Sequence, residues 1–352
     1  MILIFTTIHG QGHGAEELLC QLMRSWPAEG EQLALCSPAG SRTAQEASAL
    51  GLTWMPFPAK SGNFIRNFRS ARTLSFPESK PRLVHAWEAR SFETALYVAR
   101  KHGLPCTGTL QDHPHSEIHG QLRRRIMRTS ANRFQGLVCV SESLRLSCLS
   151  AGYRTPLRTI LNGIAPFSIE REPGGDKLRI GFLGMNSPRK GFEVVDQWIR
   201  AEVLNGVEWH LYGDPCASLQ EPLARLQRDC PKQLKVSGRL PVFDIFGRID
   251  ILVHPALRYE PFGLVVLEAA NCRIPVLASR CGGPEEIIRH GETGYLFDVG
   301  RPDEGLRLLK NLVASPDLCR TFGEAASNLF LEDFGAERMA RQYREFWAQT
   351  PA

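Results

Sequence analysis

The chain has 352 residues, 43% of them hydrophobic and 22% charged, which favours two globular domains and argues against disorder. Its net charge of +5 is uneven: residues 1–165 carry 19 Lys or Arg and 11 Asp or Glu, and the remainder carries 23 and 26. No apolar run approaches the roughly 20 residues that span a bilayer, and no nucleic-acid-binding motif accompanies the basic residues. We therefore expect neither a membrane span nor a nucleic-acid partner.

The ten cysteines stand singly and never form a CxxC pair. The chain also begins directly with a strand-like run and shows no signal-peptide pattern. These features predict reduced thiols in a cytoplasmic protein, without disulfides or a zinc site.

Short apolar runs alternate with helical patterns along the first half of the chain. The predicted strands are Met1 to Thr7, Gln32 to Cys36, Leu83 to Trp87, Thr107 to Leu110, Gly136 to Val140 and Thr159 to Leu161. This alternation indicates βαβ units and a parallel sheet, and we assign it to an N-terminal domain over residues 1–165.

Two predicted helices of this half carry basic residues interleaved with apolar ones. The basic residues are Arg66, Arg69, Arg72, Arg123, Arg124, Arg125, Arg128 and Arg133. The pattern suits an anionic membrane surface or a phosphate-bearing lipid acceptor, and a solvated basic face explains it equally well.

The Pro/Gly-rich, charged stretch 166–177 is predicted to be a linker. The alternation then restarts with Leu178 to Leu183, Glu208 to Tyr212, Leu234 to Ser237, Ile251 to His254 and Pro275 to Ala278. We predict a second domain over residues 178–335 and a final helix, 336–352, that returns to the first domain. In doubly wound sheets ligands bind beyond the carboxyl ends of the strands, so we expect an active site in a cleft between the domains.

The most informative segment reads HPALRYEPFGLVVLE and spans His254 to Glu268, with two glutamates separated by seven residues. A buried strand ends in His-Pro, and a Glu-Pro-Phe-Gly turn then leads into an apolar helix. Such a helix start presents free backbone amides to a phosphate. The alternative is that Glu260 is a helix-start carboxylate favoured by the helix dipole and that Glu268 is a solvated helix residue.

This segment resembles the Glu-x7-Glu signature of the family-four retaining glycosyltransferases, also described as glycosyl transferases group 1, which have the GT-B fold. The resemblance implies two Rossmann-like doubly wound domains that face each other across a cleft. It places Glu260 near the transferred sugar and Glu268 on the nucleotide ribose. It also implies contacts of Phe262, Gly263 and Leu264 with the donor.

Three further stretches of the second half resemble donor-binding parts of the same family. The loop from Phe182 to Gly191 places Gly184 and the diphosphate-binding Lys190, but Met185 stands where the family has an arginine. Arg189 is the candidate to replace that arginine, and a solvated loop cation explains it as well. The remaining candidates are Arg239 near the nucleobase and the glycine pair Gly282 and Gly283.

In the first half, the loop with glycines at positions 10, 12 and 14 does not match the GxGxxG dinucleotide fingerprint. The resemblance assigns Gly12, His13 and Gly14 to the acceptor side of the cleft, although a tight turn also explains the glycines. It further suggests His85, Gln111 and His113, where Gln111 takes the position of the family's sugar-contacting histidine. A structural role is the alternative for each histidine.

The resemblance implies a metal-independent retaining glycosyltransferase that moves a sugar from a UDP- or GDP-sugar to a hydroxyl acceptor, in cell-surface polysaccharide or glycolipid synthesis. No cofactor is expected, because the nucleotide sugar is a substrate. The acceptor is expected to be lipid-linked if Arg66, Arg69 and Arg123 to Arg125 contact the inner face of the membrane. Two alternatives stay open: a catalytically impaired nucleotide-binding scaffold, suggested by Met185 and Gln111, and a nucleotide-sugar epimerase of the GT-B fold.

Overall fold

A computed structural model describes most of the chain. The described residues are 1–8, 14–58, 64–76, 80–114, 120–172, 175, 177–201 and 204–351. The chain forms two compact units, here called unit 1, Met1–Ala165 with Gly335–Ala352, and unit 2, Pro166–Phe334.

Unit 1 contains a parallel sheet of seven strands. They are β1 (Ile2–Phe5), β2 (Leu33–Ser37), β3 (Thr53–Pro56), β4 (Leu83–Ala86), β5 (Cys106–Leu110), β6 (Gly136–Cys139) and β7 (Leu157–Thr159). The spatial order is β3-β2-β1-β4-β5-β6-β7, and Ile2 pairs with Leu33 on one side and Leu83 on the other. The central strands are buried throughout because helices cover both faces of the sheet.

In the described part of unit 1, six helices connect these strands. They are α1 (Gly14–Arg24), α2 (Arg42–Ala49), α3 (Phe64–Thr73), α4 (Phe92–Lys101), α5 (Gln121–Ala131) and α6 (Glu142–Ser150). The strand order reverses direction at β1, and parallel crossovers are right-handed. Helices α1 and α2 therefore lie on one face of the sheet, and α3 to α6 lie on the other.

Unit 2 contains a parallel sheet of six strands. They are β8 (Leu178–Leu183), β9 (Val207–Tyr212), β10 (Leu234–Ser237), β11 (Ile251–His254), β12 (Val276–Arg280) and β13 (Gly294–Asp298). The order is β10-β9-β8-β11-β12-β13, again with a reversal beside the first strand of the unit. Both units thus have the doubly wound topology that the sequence predicts.

Seven helices complete unit 2 as far as the structure describes it. They are α7 (Phe192–Arg200), α8 (Ala217–Asp229), α9 (Val242–Phe246), α10 (Leu264–Asn271), α11 (Pro284–Ile287), α12 (Pro302–Ala314) and α13 (Pro316–Asp333). Trp198 and Trp209 are fully buried in the core between the sheet and its helices. Residues of the predicted linker pack on this unit, because Asn271 exchanges hydrogen bonds with the backbone of Phe167.

The last helix, α14 (Ala336–Ala348), belongs to unit 1 and packs on α1. The Trp347 indole donates to His85 Nδ1 at 3.1 Å, and the Tyr343 hydroxyl lies 2.8 Å from the Thr109 hydroxyl. Both His85 ring nitrogens also contact threonine hydroxyls, of Thr107 at 2.8 Å and Thr109 at 2.9 Å. A buried polar network therefore fixes α14 to β4 and β5.

None of the described helices combines the length and the apolar sequence that are needed to cross a bilayer.

Candidate active site in unit 2

The residues predicted to bind a donor lie at one edge of the unit 2 sheet. Gly184 follows β8, Arg239 follows β10, Glu260 follows β11, and the glycine pair Gly282 and Gly283 follows β12. Because the strands are parallel, all these positions lie at the carboxyl ends of the strands. This is the edge where doubly wound sheets bind ligands.

Close backbone packing positions Lys190. Gly184 leaves room for the lysine stem, because a Cβ added at residue 184 would lie 2.5 Å from Lys190 Cβ. Gly191 has a φ of 87°, and a Cβ there would lie 1.8 Å from the carbonyl oxygen of Pro255. The Leu257 amide also donates to the Arg189 carbonyl at 2.8 Å. The Lys190 loop is therefore held directly against the segment that follows β11.

Lys190, Glu260 and His254 form a cluster at this edge. Lys190 Nζ donates to Glu260 Oε2 at 2.5 Å, and His254 Nε2 lies 3.6 Å from the same oxygen. The side chains of Lys190 and Glu260 are 26% and 16% exposed, whereas His254 is 1% exposed. The ion pair is thus partly open to solvent and has the histidine beneath it.

The ionisation of Glu260 depends on this cluster. Burial disfavours its charged form, but the ammonium of Lys190 and the neighbouring His254 outweigh burial, so the pKa of Glu260 lies below its usual value. Burial lowers the pKa of His254 in spite of the nearby carboxylate, so its imidazole is neutral at pH 7. The site therefore presents an ammonium and a carboxylate side by side.

The backbone of Glu260 is also fixed. Its amide donates to the Cys281 carbonyl at 2.7 Å, and its carbonyl accepts from the Gly283 amide at 2.8 Å. A Cβ at Gly283 would lie 2.2 Å from Phe262 Cα, so only glycine permits this approach. Two backbone hydrogen bonds to the segment after β12 therefore hold the Glu-Pro-Phe-Gly turn in place.

Helix α10 begins directly after this turn. Gly263, with a φ of 93°, precedes Leu264, the first helical residue, and Phe262 is buried. Glu268 lies half-buried on the same helix. A free helix start beside a lysine is well suited to a phosphate group, because the exposed amides and the helix dipole favour negative charge.

Met185 stands where the family has an arginine, and Arg189 is the candidate to replace that arginine. Met185 is fully buried in the unit 2 core, and its carbonyl accepts from the Cys216 amide. Its side chain therefore lies in the core and contributes no charge to the edge. Arg189 is half-buried next to Lys190, and Arg239 is exposed after β10.

The candidates in unit 1 have different environments. Gly14 is the exposed first residue of α1. Gln111 and His113 lie half-buried after β5. The Gln111 side chain donates from Nε2 to the Trp87 carbonyl at 3.3 Å. The ring of His85 is fully buried, and both of its nitrogens have partners. This buried, bonded ring fits the structural role that the sequence left open for His85, in which the histidine holds α14, and its contact with an acceptor stays a prediction. Gly12 and His13 lie outside the described residues.

Sequence reasoning missed two buried titratable residues at the strand ends. One is His254, which reads as the end of an apolar strand. The other is Glu88 in unit 1, whose carboxylate accepts from the Thr6 hydroxyl and from the amide and hydroxyl of Thr7 at 2.7 to 2.9 Å. Burial raises the pKa of Glu88 to about 7, although these hydrogen bonds lower it. The Trp-Glu pair directly after a buried strand was the available signal.

No group of three His, Cys, Asp or Glu side chains in the described ranges could hold a metal ion. Lys190 and the start of α10 suit an anionic ligand.

Comparison with known families adds to this geometry. Residues 169–329 match the family described as "Glycosyl transferases group 1", and residues 12–166 match "Glycosyltransferase Family 4". The two matches together cover almost the whole chain. The chain belongs to this glycosyltransferase family. The fold of these glycosyltransferases, GT-B, is accordingly confirmed as the fold class.

Parts of the chain are similar in sequence to individual glycosyltransferases. Over 92 residues, the chain is 40% identical to the N-acetyl-alpha-D-glucosaminyl L-malate synthase of Bacillus anthracis, covering 25% of this chain and 23% of the synthase. Over 228 residues, it is 25% identical to the lipopolysaccharide core biosynthesis glycosyltransferase LpsE of Rhizobium meliloti, covering 61% of this chain and 64% of LpsE. The matches thus span less than two thirds of both relatives.

Among solved structures, Anabaena Alr3699/HepE in complex with UDP-glucose aligns with a TM-score of 0.84. The alignment covers 99% of both chains at 20% sequence identity. At this identity the likeness shows the shared fold.

Proposed function

We propose that the chain is a retaining glycosyltransferase that moves a sugar from a UDP- or GDP-sugar to a hydroxyl acceptor in polysaccharide or glycolipid synthesis. The observation that carries this proposal is the Lys190–Glu260 pair at the carboxyl edge of unit 2, next to the start of α10. Membership of the glycosyltransferase family and the UDP-glucose complex of HepE support it.

Each residue of the pair has a distinct role in the proposed reaction. Lys190 and the amides at the start of α10 stabilise the departing nucleoside diphosphate, which gains charge as the sugar–phosphate bond breaks. Glu260 carries a negative charge next to the sugar, where positive charge develops in the transition state. Both effects need no metal ion, and we expect transfer to continue in excess chelator.

The decisive experiment compares Lys190→Met with Lys235→Met. Lys235 is an exposed lysine of β10 in the same unit, paired with Glu208, so its replacement controls for the loss of one positive charge. We expect Lys190→Met to lower kcat by about 100- to 1000-fold, the usual effect of removing one group that stabilises developing charge. Lys235→Met should retain wild-type turnover. Equal rates in all three proteins would refute the role of Lys190.

A second candidate function is nucleotide binding without turnover. The buried Met185 favours this candidate function. The family has an arginine at this position, after Gly184, and the methionine supplies no charge there. This candidate predicts that UDP or GDP raises the Tm of the wild type while no nucleotide sugar is consumed. Measuring thermal shift and donor consumption on one preparation separates the two functions.

We also propose that the α3–α6 face of unit 1 contacts an anionic membrane and that the acceptor is lipid-linked. These four helices carry ten Lys or Arg and two Glu, whereas α1, α2 and α14 carry five Lys or Arg and five Glu. Arg66, Arg69 and Arg125 are exposed, and Arg123 and Arg124 are half-buried, with Arg123 bonded to Glu93 at 2.7 Å.

Exposed apolar side chains accompany this basic surface. Leu122 is 72% exposed and Ile126 37% exposed on α5, and Leu146 and Leu149 are 55% and 48% exposed on α6. The Arg128 guanidinium bonds to the Ala151 carbonyl, so it connects the end of α6 to α5. Basic and apolar side chains on one face are the combination that binds anionic lipid interfaces.

A further inference from the structure

One oxygen of Glu260 has two candidate partners, of which only one is bonded. Lys190 Nζ contacts Oε2 at 2.5 Å, whereas His254 Nε2 stops at 3.6 Å, beyond hydrogen-bond distance. Within the described ranges His254 Nε2 has no hydrogen-bond partner, and the residue is 1% exposed. The buried nitrogen is thus aimed at the site with its hydrogen-bonding capacity unused.

We propose that Glu260 exchanges these partners when the donor binds. Lys190 leaves Glu260 to bind the diphosphate, and His254 Nε2 donates a hydrogen bond to the oxygen that the lysine has left. This inference rests on the proposed function, because it assigns the diphosphate to Lys190. His254 is then a positioning residue, which holds the Glu260 carboxylate while the lysine is engaged elsewhere.

The exchange avoids a large electrostatic cost. A mostly buried carboxylate that loses its only cation is strongly destabilised, because little water can replace the lost partner. A neutral imidazole carries one N–H, and a movement of about 0.5 Å brings Nε2 within ordinary hydrogen-bond distance. The backbone bonds of Glu260 to Cys281 and Gly283 are independent of its side chain, so the carboxylate can move without disturbing the turn.

Packing alone does not account for a histidine at this position. An unsatisfied buried nitrogen destabilises the fold, and an apolar residue of similar size would avoid that cost. The neighbours Val253 and Ala256 are apolar and fully or almost fully buried, as expected in a core. The polar ring is therefore best explained by a state in which Nε2 is bonded.

The first test needs no donor and no catalysis. In Lys190→Met the competing ammonium is absent, so we expect His254 Nε2–H to bond to Glu260 in the free protein. Nitrogen-15 spectra of labelled histidine should show a new, slowly exchanging Nε2–H signal that is shifted downfield. Replacing Glu260 by Gln in the same background should reduce that shift, because the bond then goes to a neutral acceptor. An unchanged His254 signal in Lys190→Met overturns the exchange.

A diphosphate should have the same effect on the wild type. We expect inorganic pyrophosphate to move the His254 signal in the direction that Lys190→Met moves it. A response to the substitution without a response to pyrophosphate would overturn the exchange and would leave the proposed transfer reaction unaffected.

The kinetic test uses two amides of different reach. The side-chain nitrogen of Gln can occupy the position of Nε2, whereas that of Asn reaches only to the position of Nδ1. We expect His254→Gln to retain at least ten-fold more turnover than His254→Asn, with similar donor KM values. Equal losses in both variants would make His254 a packing residue. If no variant and no wild type transfers sugar, the proposed function fails, and the spectra still decide the exchange.

Discussion

The carboxyl edges of the two sheets use their polar residues in opposite ways. In unit 2 the edge carries an ionised pair, Lys190 and Glu260, that is partly open to solvent. In unit 1, Glu88 follows β4 and His85 lies within that strand. Both side chains are buried and bonded to neighbouring threonines. Burial raises the pKa of Glu88 to about 7 and lowers that of His85 to about 3, so burial disfavours the charged form of both groups.

This difference shows that polar residues can serve either a ligand site or the internal structure in two sheets of the same topology. In unit 2, close glycine packing holds charged groups where a ligand can reach them. In unit 1, buried hydrogen bonds connect strands, loops and the last helix of the chain. Changes at the unit 2 edge should therefore alter binding and turnover, and changes at the buried unit 1 network should alter stability.

The largest expected effect is on the stability of unit 1. Trp347→Ala removes a fully buried indole and its bond to His85, and should cost about 3 to 5 kcal/mol of unfolding free energy. Hydrogen exchange should show lost protection in unit 1, with protection in unit 2 retained. Trp198→Ala, at an equally buried tryptophan of unit 2, is the matched control and should give the reverse pattern. If either substitution lowered hydrogen-exchange protection equally in both units, the two units would not be independent in stability.

The next effect depends on pH. The folded pKa of Glu88, about 7, lies above the ordinary glutamate pKa of 4.5, so folded chains bind a proton that unfolded chains release between these values. Its contribution to stability is therefore largest below pH 4.5 and is lost as pH rises to about 7, a change of about 3 kcal/mol. Denaturation of wild type and Glu88→Gln across this range should show a difference that changes by this amount.

Glu142→Gln is the control for this measurement. Bonds from Arg145 and Thr159 lower the pKa of Glu142 to about 2, so its folded state does not titrate in this range. A constant difference between wild type and Glu88→Gln would mean that Glu88 is ionised in the folded chain throughout.

A smaller effect is expected on membrane binding. Leu122→Ser removes an exposed side chain from the α3–α6 face and should weaken binding to vesicles of anionic lipid by about ten-fold, the equivalent of about 1.4 kcal/mol of lost apolar burial. Leu331→Ser, at a leucine of unit 2 that is 61% exposed, should leave sedimentation with vesicles unchanged. Loss of binding in both variants, or in neither, would argue against this face.

The smallest effect should come from Arg189. Arg189→Gln removes a half-buried cation next to Lys190, and we expect UDP or GDP to bind about three- to five-fold more weakly, since partly exposed charge pairs contribute up to about 1 kcal/mol. Calorimetry at two salt concentrations should show a larger difference at low salt. Arg225→Gln, at an exposed arginine of α8, provides the control. Unchanged affinity would leave Lys190 as the cation of the site.

The sequence predicted the doubly wound fold well, because buried parallel strands leave clear apolar runs. The bounds of β8, β10 and β11 agree with prediction. Two edge strands were missed for identifiable reasons. In β3 only Met55 is buried and the strand ends in Pro56, and β13 begins with Gly294 and ends with Asp298, residue types that are rare in strands.

The site was predictable to a different extent. Resemblance to the family's Glu-x7-Glu segment and to its diphosphate-binding loop indicated Glu260 and Lys190, and the structure brings these two residues together. The third partner, His254, was missed as a site residue, since its contact with Glu260 arises only when the turn folds back over the strand end. The bond between His85 and Trp347 could not be predicted for a related reason, because the two residues are 262 positions apart in sequence.

The position of α14 also has a consequence for how a nascent chain folds. Strand β7 ends at Thr159, and the helix that completes the core of unit 1 begins at Ala336, after the whole of unit 2. On the ribosome, unit 2 can therefore close its own core while unit 1 still exposes the apolar surface around His85. Contacts of such high sequence separation form slowly. Unit 1, although its strands are made first, therefore cannot complete its core before α14 has been made.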